Sequence, residues 1–435
     1  MNREILKLAI PNIISNITVP LLSLVDMTLM GHLSSPVYIG AIALGGTIFS
    51  VLYSFFSFLR AGTTGFTAQS YGSNDMSEIS YSLYRSVTIG ILASLLILII
   101  QQPIVKLSLL ILEGSHEVRN LAITYFYVRI WAAPANLLLY CLNGWFVGMQ
   151  NTKIPMIIAI VINVLNIVFS VFFVLVMHQD VVGVALGTVI AQYCGLATAL
   201  LLLIKKYNIY LTRIEINILL NINKIKRFFK VNTDLMIRSI LLVLTIAFFT
   251  NQSARLGDNI LSVNMILLQF FYIFSYFTDG FAYAGEALVG RFIGSKDSVR
   301  LNLVVKQLFK WGMLISIPFA IIYAIFPTPF VRIISDNPTI IEQVRPYYIY
   351  MVLIPVITFA AFLWDGIYIG ATASKAIRNT MIISSLLVFL PLWYFLMPFL
   401  GNDGLWIAFL GFMVARGITM TVSAKKNILQ IIKNQ

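Results

Sequence analysis

Charge is scarce in this 435-residue chain: Asp, Glu, Lys and Arg together make up 11% of it, against about 25% in an ordinary soluble domain. So few ions cannot cover a water-facing surface of this size, and a soluble globular protein is excluded. Cysteine is rarer still. Cys141 and Cys194 stand far apart without CxxC spacing or a histidine partner, which points to packing rather than redox or metal chemistry. His32, His116 and His178 are scattered and make no ligand set. No HExxH, GxSxG, phosphate-binding loop or CxxC occurs. Hydrolytic and ATP-driven chemistry are therefore unsupported, a membrane-embedded enzyme is disfavoured, and no cofactor is expected.

Apolar residues fill the space that charge leaves. They amount to 59% of the chain, with a mean hydropathy of +0.89. Apolar runs of 20 or more residues recur from end to end, each long enough to cross a hydrocarbon core of about 30 Å as a helix. They do not alternate in polarity, so a β-barrel is excluded. The runs predict spans near 5–31, 39–70, 86–112, 120–149, 154–177, 181–204, 230–256, 260–290, 302–334, 345–371, 376–400 and 404–424. The first is read as a retained helix, because Pro11, Asn12, Asn16 and Asp26 interrupt it and no small-residue cleavage site follows.

The two halves repeat. Gly72-Ser73-Asn74-Asp75 returns as Gly294-Ser295-Lys296-Asp297, and Gly144, Gly148 and Lys153 return as Gly366, Gly370 and Lys375, all 222 residues on. Each copy carries six hydrophobic segments. The expected fold is thus an all-α polytopic membrane protein of twelve transmembrane helices in two pseudo-symmetric six-helix lobes. Six is even, so the halves run the same way through the bilayer, related by an axis along its normal, with a substrate path between them. The N-lobe is placed at 1–205, the C-lobe at 230–435, and the Asn/Lys/Arg-rich segment 206–229 joins them.

A net charge of +13 would suggest nucleic acid in a soluble protein, but here the basic residues track membrane sidedness. Arg3, Lys7, Lys153, Lys205, Lys206 and the Lys/Arg residues of 213–230 fall on one side, whereas the opposite loops hold only Lys106, Arg119, Arg255, Arg332 and Arg345. By the positive-inside rule both termini and the linker are cytoplasmic and the chain sits in the plasma (inner) membrane. Segment 213–230 is read first as a topogenic linker and second as an amphipathic contact for anionic lipid.

An ionised carboxylate inside the bilayer costs at least about 2.5 kcal/mol, so each such residue is a candidate for function. Asp26, on a helix that also holds Pro11 and Pro20, is the clearest: a protonatable or cation-binding group on a segment that is able to bend. Asn143, Asn163, Asn166, Ser170, Thr188 and Gln192 are neutral polar residues in helices 4 to 6, of which Asn166 and Ser170 share a face. The second half offers Arg238, Asp279, Glu286 and Asp365. An internal Arg238–carboxylate salt bridge and a role in substrate or proton handling weigh equally there, and Glu286 is close enough to Arg291 to snorkel.

Leu24-Val25-Asp26-Met27-Thr28 with Met30-Gly31-His32-Leu33, Phe58 to Gly65, Asn163 to Val168, Met236-Ile237-Arg238-Ser239 and Asp279 to Ala287 resemble the multidrug and toxic compound extrusion (MATE) transporters, specifically the DinF subfamily. The resemblance implies two lobes around a V-shaped cavity and efflux of organic cations or amphipaths, driven by inward proton or sodium flow. It assigns ion coupling and substrate contact to Asp26, Asn143, Asn166 and Thr188, and helix bending to Pro11. Ser170 stands where related proteins carry an Asp, leaving one carboxylate instead of two. A proton on Asp26 is the expected coupling ion; the alternative is sodium held by Asp26, Asn166, Ser170 and Thr188. Asp365 resembles the helix 10 Asp of the NorM branch. The expected protein is a monomeric antiporter of small molecules in the lipid bilayer, with no nucleic-acid partner. A flippase for an amphipathic lipid-linked precursor is the alternative; it would call for several cavity arginines and usually extra helices, whereas this chain has twelve helices and few intramembrane arginines.

Overall fold

The computed structural model describes residues 1–31, 37–111, 115–335 and 337–430, with the side chains of 19, 21–28, 30, 31, 110 and 111 left aside. Among them, eleven helical segments are long and apolar enough to cross a membrane. With α1 (Asn2–Gly31) they make the twelve expected: α2 (Val37–Gly72), α3 (Met76–Ile99), α4 (His116–Gly148), α5 (Lys153–Val176), α6 (Val181–Tyr210), α7 (Ile222–Arg255), α8 (Asp258–Gly294), α9 (Ser298–Ile325), α10 (Pro338–Gly370), α11 (Ser374–Leu400) and α12 (Asn402–Leu429). Such segments become helices because lipid offers no partner for backbone N–H and C=O groups, which a helix satisfies internally.

The chain divides into two compact units, Ile14–Arg227 and Met1–Ile13 with Phe228–Gln435. Helix α1 therefore contributes to both. Its first turns lie against α8, where Gly280 admits them: a Cβ there would meet Ile13 Cγ1 at 2.4 Å and Ala9 O at 2.9 Å. The first thirteen residues thus group with Phe228–Gln435. Helix α1 runs unbroken through Pro11 and Pro20.

The internal repeat is visible in backbone detail. Asn74 and Lys296 both have φ 56°, and Gln150 and Thr372 have φ 60° and 51°, each pair 222 apart. Around the first pair, Asp75 N and Asp297 N reach back to Ser70 O and Phe292 O at 3.1 and 2.9 Å, the six-to-one bond of a Schellman motif. The same aspartates cap the next helix, accepting from Glu78 N at 2.9 Å and Arg300 N at 2.8 Å. Crossings repeat too. A Cβ on Gly144 would stand 2.3 Å from Arg60 O, and one on Gly366 would stand 2.1 Å from Ala282 O. Only a missing side chain permits backbones that close.

Two boundaries differ from expectation for identifiable reasons. Helix α3 begins at Met76 and ends at Ile99, with a separate helix Gln101–Ile111 after it, instead of one span over 86–112. Its first turns carry Glu78 and Arg85, whose charges pair within the helix, Arg85 Nη1 to Glu78 Oε2 at 3.1 Å. Pro103 falls in the first turn of the second helix, where its missing N–H costs nothing. The second is that α6 and α7 extend into the 206–229 segment, leaving 211–221 between them; besides these, α9 stops at Ile325 and a separate helix Pro327–Ile334 follows, instead of one span over 302–334.

Candidate functional site

In the unit Ile14–Arg227, α5 and α6 bring three predicted residues together. Asn166 Nδ2 donates to Thr188 Oγ1 at 2.9 Å, Ser170 Oγ donates to Asn166 Oδ1 at 3.4 Å, and Thr188 Oγ1 donates to Val184 O at 3.0 Å. All three side chains are buried. The spacing of Asn166 and Ser170 by one turn sets them on one face, and Gly187 lets α6 approach it. A Cβ at Gly187 would lie 2.7 Å from Ser170 Oγ and 2.8 Å from Ser170 N. Gly187→Ala should therefore force α5 and α6 apart and stretch the Asn166–Thr188 bond. A loss of about 1–3 kcal/mol is expected, read as a lower melting temperature in detergent.

Asn143 on α4 does not join this chain of hydrogen bonds. Its Oδ1 is buried and takes no hydrogen bond among the described residues. The side chain of Asp26 lies outside the described residues, as does that of the matching motif through Leu33. Pro11 is buried and Pro20 half-buried on α1.

The second unit holds a charged cluster. Asp365 Oδ2 accepts from Arg238 Nη2 and from Arg416 Nη2, the latter at 2.5 Å, so two guanidinium groups share one carboxylate oxygen. Arg416 is 0% exposed; its Nη1 reaches Met413 Sδ at 3.2 Å, and its guanidinium lies 5.4 Å from the Phe412 ring centre. Half-buried Asp279 is near enough to act electrostatically on Arg416. The four groups sum to zero formal charge. Glu286 is 1% exposed, so it does not snorkel to the surface as its distance from Arg291 suggested.

Sequence reasoning missed Arg416. The available signal was a single basic residue in the apolar run of α12, and such a residue inside a span is by default a candidate. It missed also a carboxylate at the linker end of α7: Asp234, 3% exposed, accepts from Ser374 Oγ at 2.8 Å and from Arg378 Nη1 at 2.6 Å, joining α7 to α11. Arg129 was passed over too, its guanidinium 4.8 Å from the Phe49 ring centre.

The connection after α6 is held by α3 through its backbone. Tyr84 OH donates to Thr212 O at 2.8 Å, Glu215 N donates to Tyr81 OH at 2.9 Å, and Thr212 N donates to Ser80 Oγ at 3.2 Å. Arg85 Nη2 donates to Ile218 O at 3.1 Å and closes the short helix Ile216–Leu219. Lys224 Nζ meets Glu78 Oε1 at 2.5 Å. Among the described residues no group of His, Cys, Asp and Glu is arranged to hold a metal ion.

Comparison with known proteins gives a consistent result. The family profile described as MatE matches residues 11–172 and 235–395, once in each half of the repeat. DNA damage-inducible protein F of Escherichia coli (strain K12) is 36% identical over 413 residues, covering 95% of this chain and 90% of that protein. Protein DETOXIFICATION 45, chloroplastic, of Arabidopsis thaliana is 24% identical, covering 96% and 77%. Among solved structures, the Vibrio cholerae MATE transporter VcmN in its bent form superposes with a TM-score of 0.87 at 17% identity, covering 99% of this chain and 98% of that one. At that identity the superposition speaks for the fold: two helical lobes.

Proposed function

Since the chain belongs to the MatE family of extrusion transporters and is a multi-pass membrane efflux protein rather than an enzyme, we propose that it exchanges organic cations or amphipathic compounds for protons by alternating access. Both termini and the 206–229 linker then face the cytoplasm across the inner membrane, in keeping with the basic residues on that side.

The observation that carries the choice of ion site is the state of Asp365. Its Oδ2 is engaged by two arginines and its Oδ1 is buried, so it presents no exposed charge to a passing cation. Coupling is therefore assigned to the N-lobe, with Asp26 as the titrating group among Asn143, Asn166, Ser170 and Thr188. Those four residues are neutral, so one proton on Asp26 would remove the only formal charge of the proposed set. Sodium is less well served. It needs several free oxygens, whereas Thr188 Oγ1 already accepts from Asn166 Nδ2 and Asn166 Oδ1 from Ser170 Oγ, so these bonds would have to rearrange. A proton requires no such reorganisation. Neutralisation of Asp26 changes conformation only to the extent that the two states bind the proton unequally, and α1, with Pro11 and Pro20, is the element expected to respond.

Arg238 and Arg416 are paired with Asp365 and do not present free charge to a lipid-linked phosphate, which disfavours a flippase. The test is efflux from proteoliposomes under separately imposed proton and sodium gradients. Proton-driven efflux is expected in the parent protein and less than about a tenth of it in Asp26→Asn, which should still fold and melt normally. Gradient-driven transport at the parent rate by Asp26→Asn would overturn the assignment.

A further inference from the structure

The connection between α6 and α7, together with the adjoining ends of both helices, presents side chains that suit neither free water nor a protein core. Ile209, Ile214, Ile216, Leu220, Ile222 and Phe229 are 50–75% exposed. They alternate with basic residues: segment 205–230 contains seven Lys or Arg and one acidic residue, Glu215, a net charge of +6 from 7 − 1. Meanwhile its backbone polar groups are taken up by α3, through Tyr84, Tyr81, Ser80 and Arg85. A segment tethered by its backbone but exposing isoleucines and cations has the chemistry of an interfacial element, with apolar groups for the acyl boundary and cations for headgroups.

We propose that residues 205–230 lie on the membrane surface and bind anionic phospholipid of the leaflet at the linker end of the helices. Two observations select lipid as the occupant. The segment is continuous at both ends with membrane-spanning helices, so it is delivered to the interface. Its charge is of one sign, complementary to acidic headgroups. Glu78, the acidic group beneath it, is already paired with Arg85 and Lys224, and Arg227 lies over the Phe66 ring, which among the described residues leaves Lys205, Lys206, Arg213, Lys226 and Lys230 for a ligand outside the protein. Transport should then depend on acidic lipid, because the same segment is bonded to α3.

The test uses the full chain in nanodiscs of phosphatidylcholine alone or of phosphatidylcholine and phosphatidylglycerol in equal parts. A bimane label is placed at Ile216→Cys in a Cys194→Ala background, Cys141 being buried. Nitroxide on a shallow acyl carbon should quench the label at least about twofold more with phosphatidylglycerol than without it, and salt should weaken the difference. Replacing Lys205, Lys206, Lys226 and Lys230 with Gln should remove the phosphatidylglycerol dependence of both quenching and efflux, while the melting temperature stays unchanged. Quenching by aqueous acrylamide equal to that of free dye in both lipids would overturn the proposal. So would a label shielded from both quenchers, which would place protein, not lipid, over the segment.

Discussion

Asp365→Asn is expected to cost the protein a large part of its stability. The substitution keeps the shape but removes the charge that two guanidinium groups share. Arg416, fully buried, then keeps a thioether and an aromatic face in contact, with the charge of Asp279 as its remaining acidic neighbour. Breaking a buried pair from one side costs about 3–5 kcal/mol, because an uncompensated charge remains behind. That is a large part of the ~5–15 kcal/mol by which a folded protein is stable. Low yield and early thermal unfolding in detergent should follow. The triple variant Arg238→Met, Asp365→Leu, Arg416→Met should recover the yield, since apolar replacement of an entire buried ion cluster is close to neutral. Asp279→Asn should be milder, as it leaves the shared oxygen in place. Melting of Asp365→Asn within about 3 °C of the parent, roughly 1 kcal/mol or less, would mean that the cluster does not hold the unit together.

Gly366→Ala and Gly144→Ala should be comparably severe, and for the same reason in each half of the repeat. The added Cβ would stand 2.1 Å from Ala282 O or 2.3 Å from Arg60 O, both backbone atoms in the middle of a helix. A flexible side chain can swing away from such a clash; a carbonyl within a hydrogen-bonded helix cannot. The helices must separate, exposing voids along α8 and α10 or along α2 and α4, at a cost above the usual ~1–3 kcal/mol of overpacking. Gly46→Ala is the internal control. Its Cβ meets nothing within 4 Å, and alanine favours helix by up to about 1 kcal/mol. Thermal unfolding of the three variants side by side decides the matter, and equal melting of all three would show that the crossings have slack.

The twelve helices and their doubling were legible because both rest on features that read locally: apolar length, and turn residues such as Asp75 and Asp297 that act within three positions of themselves. Helix α3 was misread at its start since Glu78 and Arg85 look like loop residues until their pairing, seven positions apart, is known. The Asn166–Ser170 face could be seen from spacing alone. That Thr188 completes it, while Asn143 accepts no bond there among the described residues, depends on how α4, α5 and α6 pack, which no spacing encodes. Arg416 escaped for the converse reason. Its partner lies 51 residues away on another helix, and a lone cation in an apolar run carries no mark of whom it meets.

The seating of Ala9 and Ile13 against Gly280 also has a consequence for biosynthesis. Ile13 leaves the ribosome 267 residues before Gly280, from 280 − 13, and at about 5–20 residues per second the interval is roughly 13 to 53 s. Throughout it the turns around Ala9 and Ile13 wait without the surface that will receive them. Ala9 and Ile13 are thus made long before the surface on α8 that seats them.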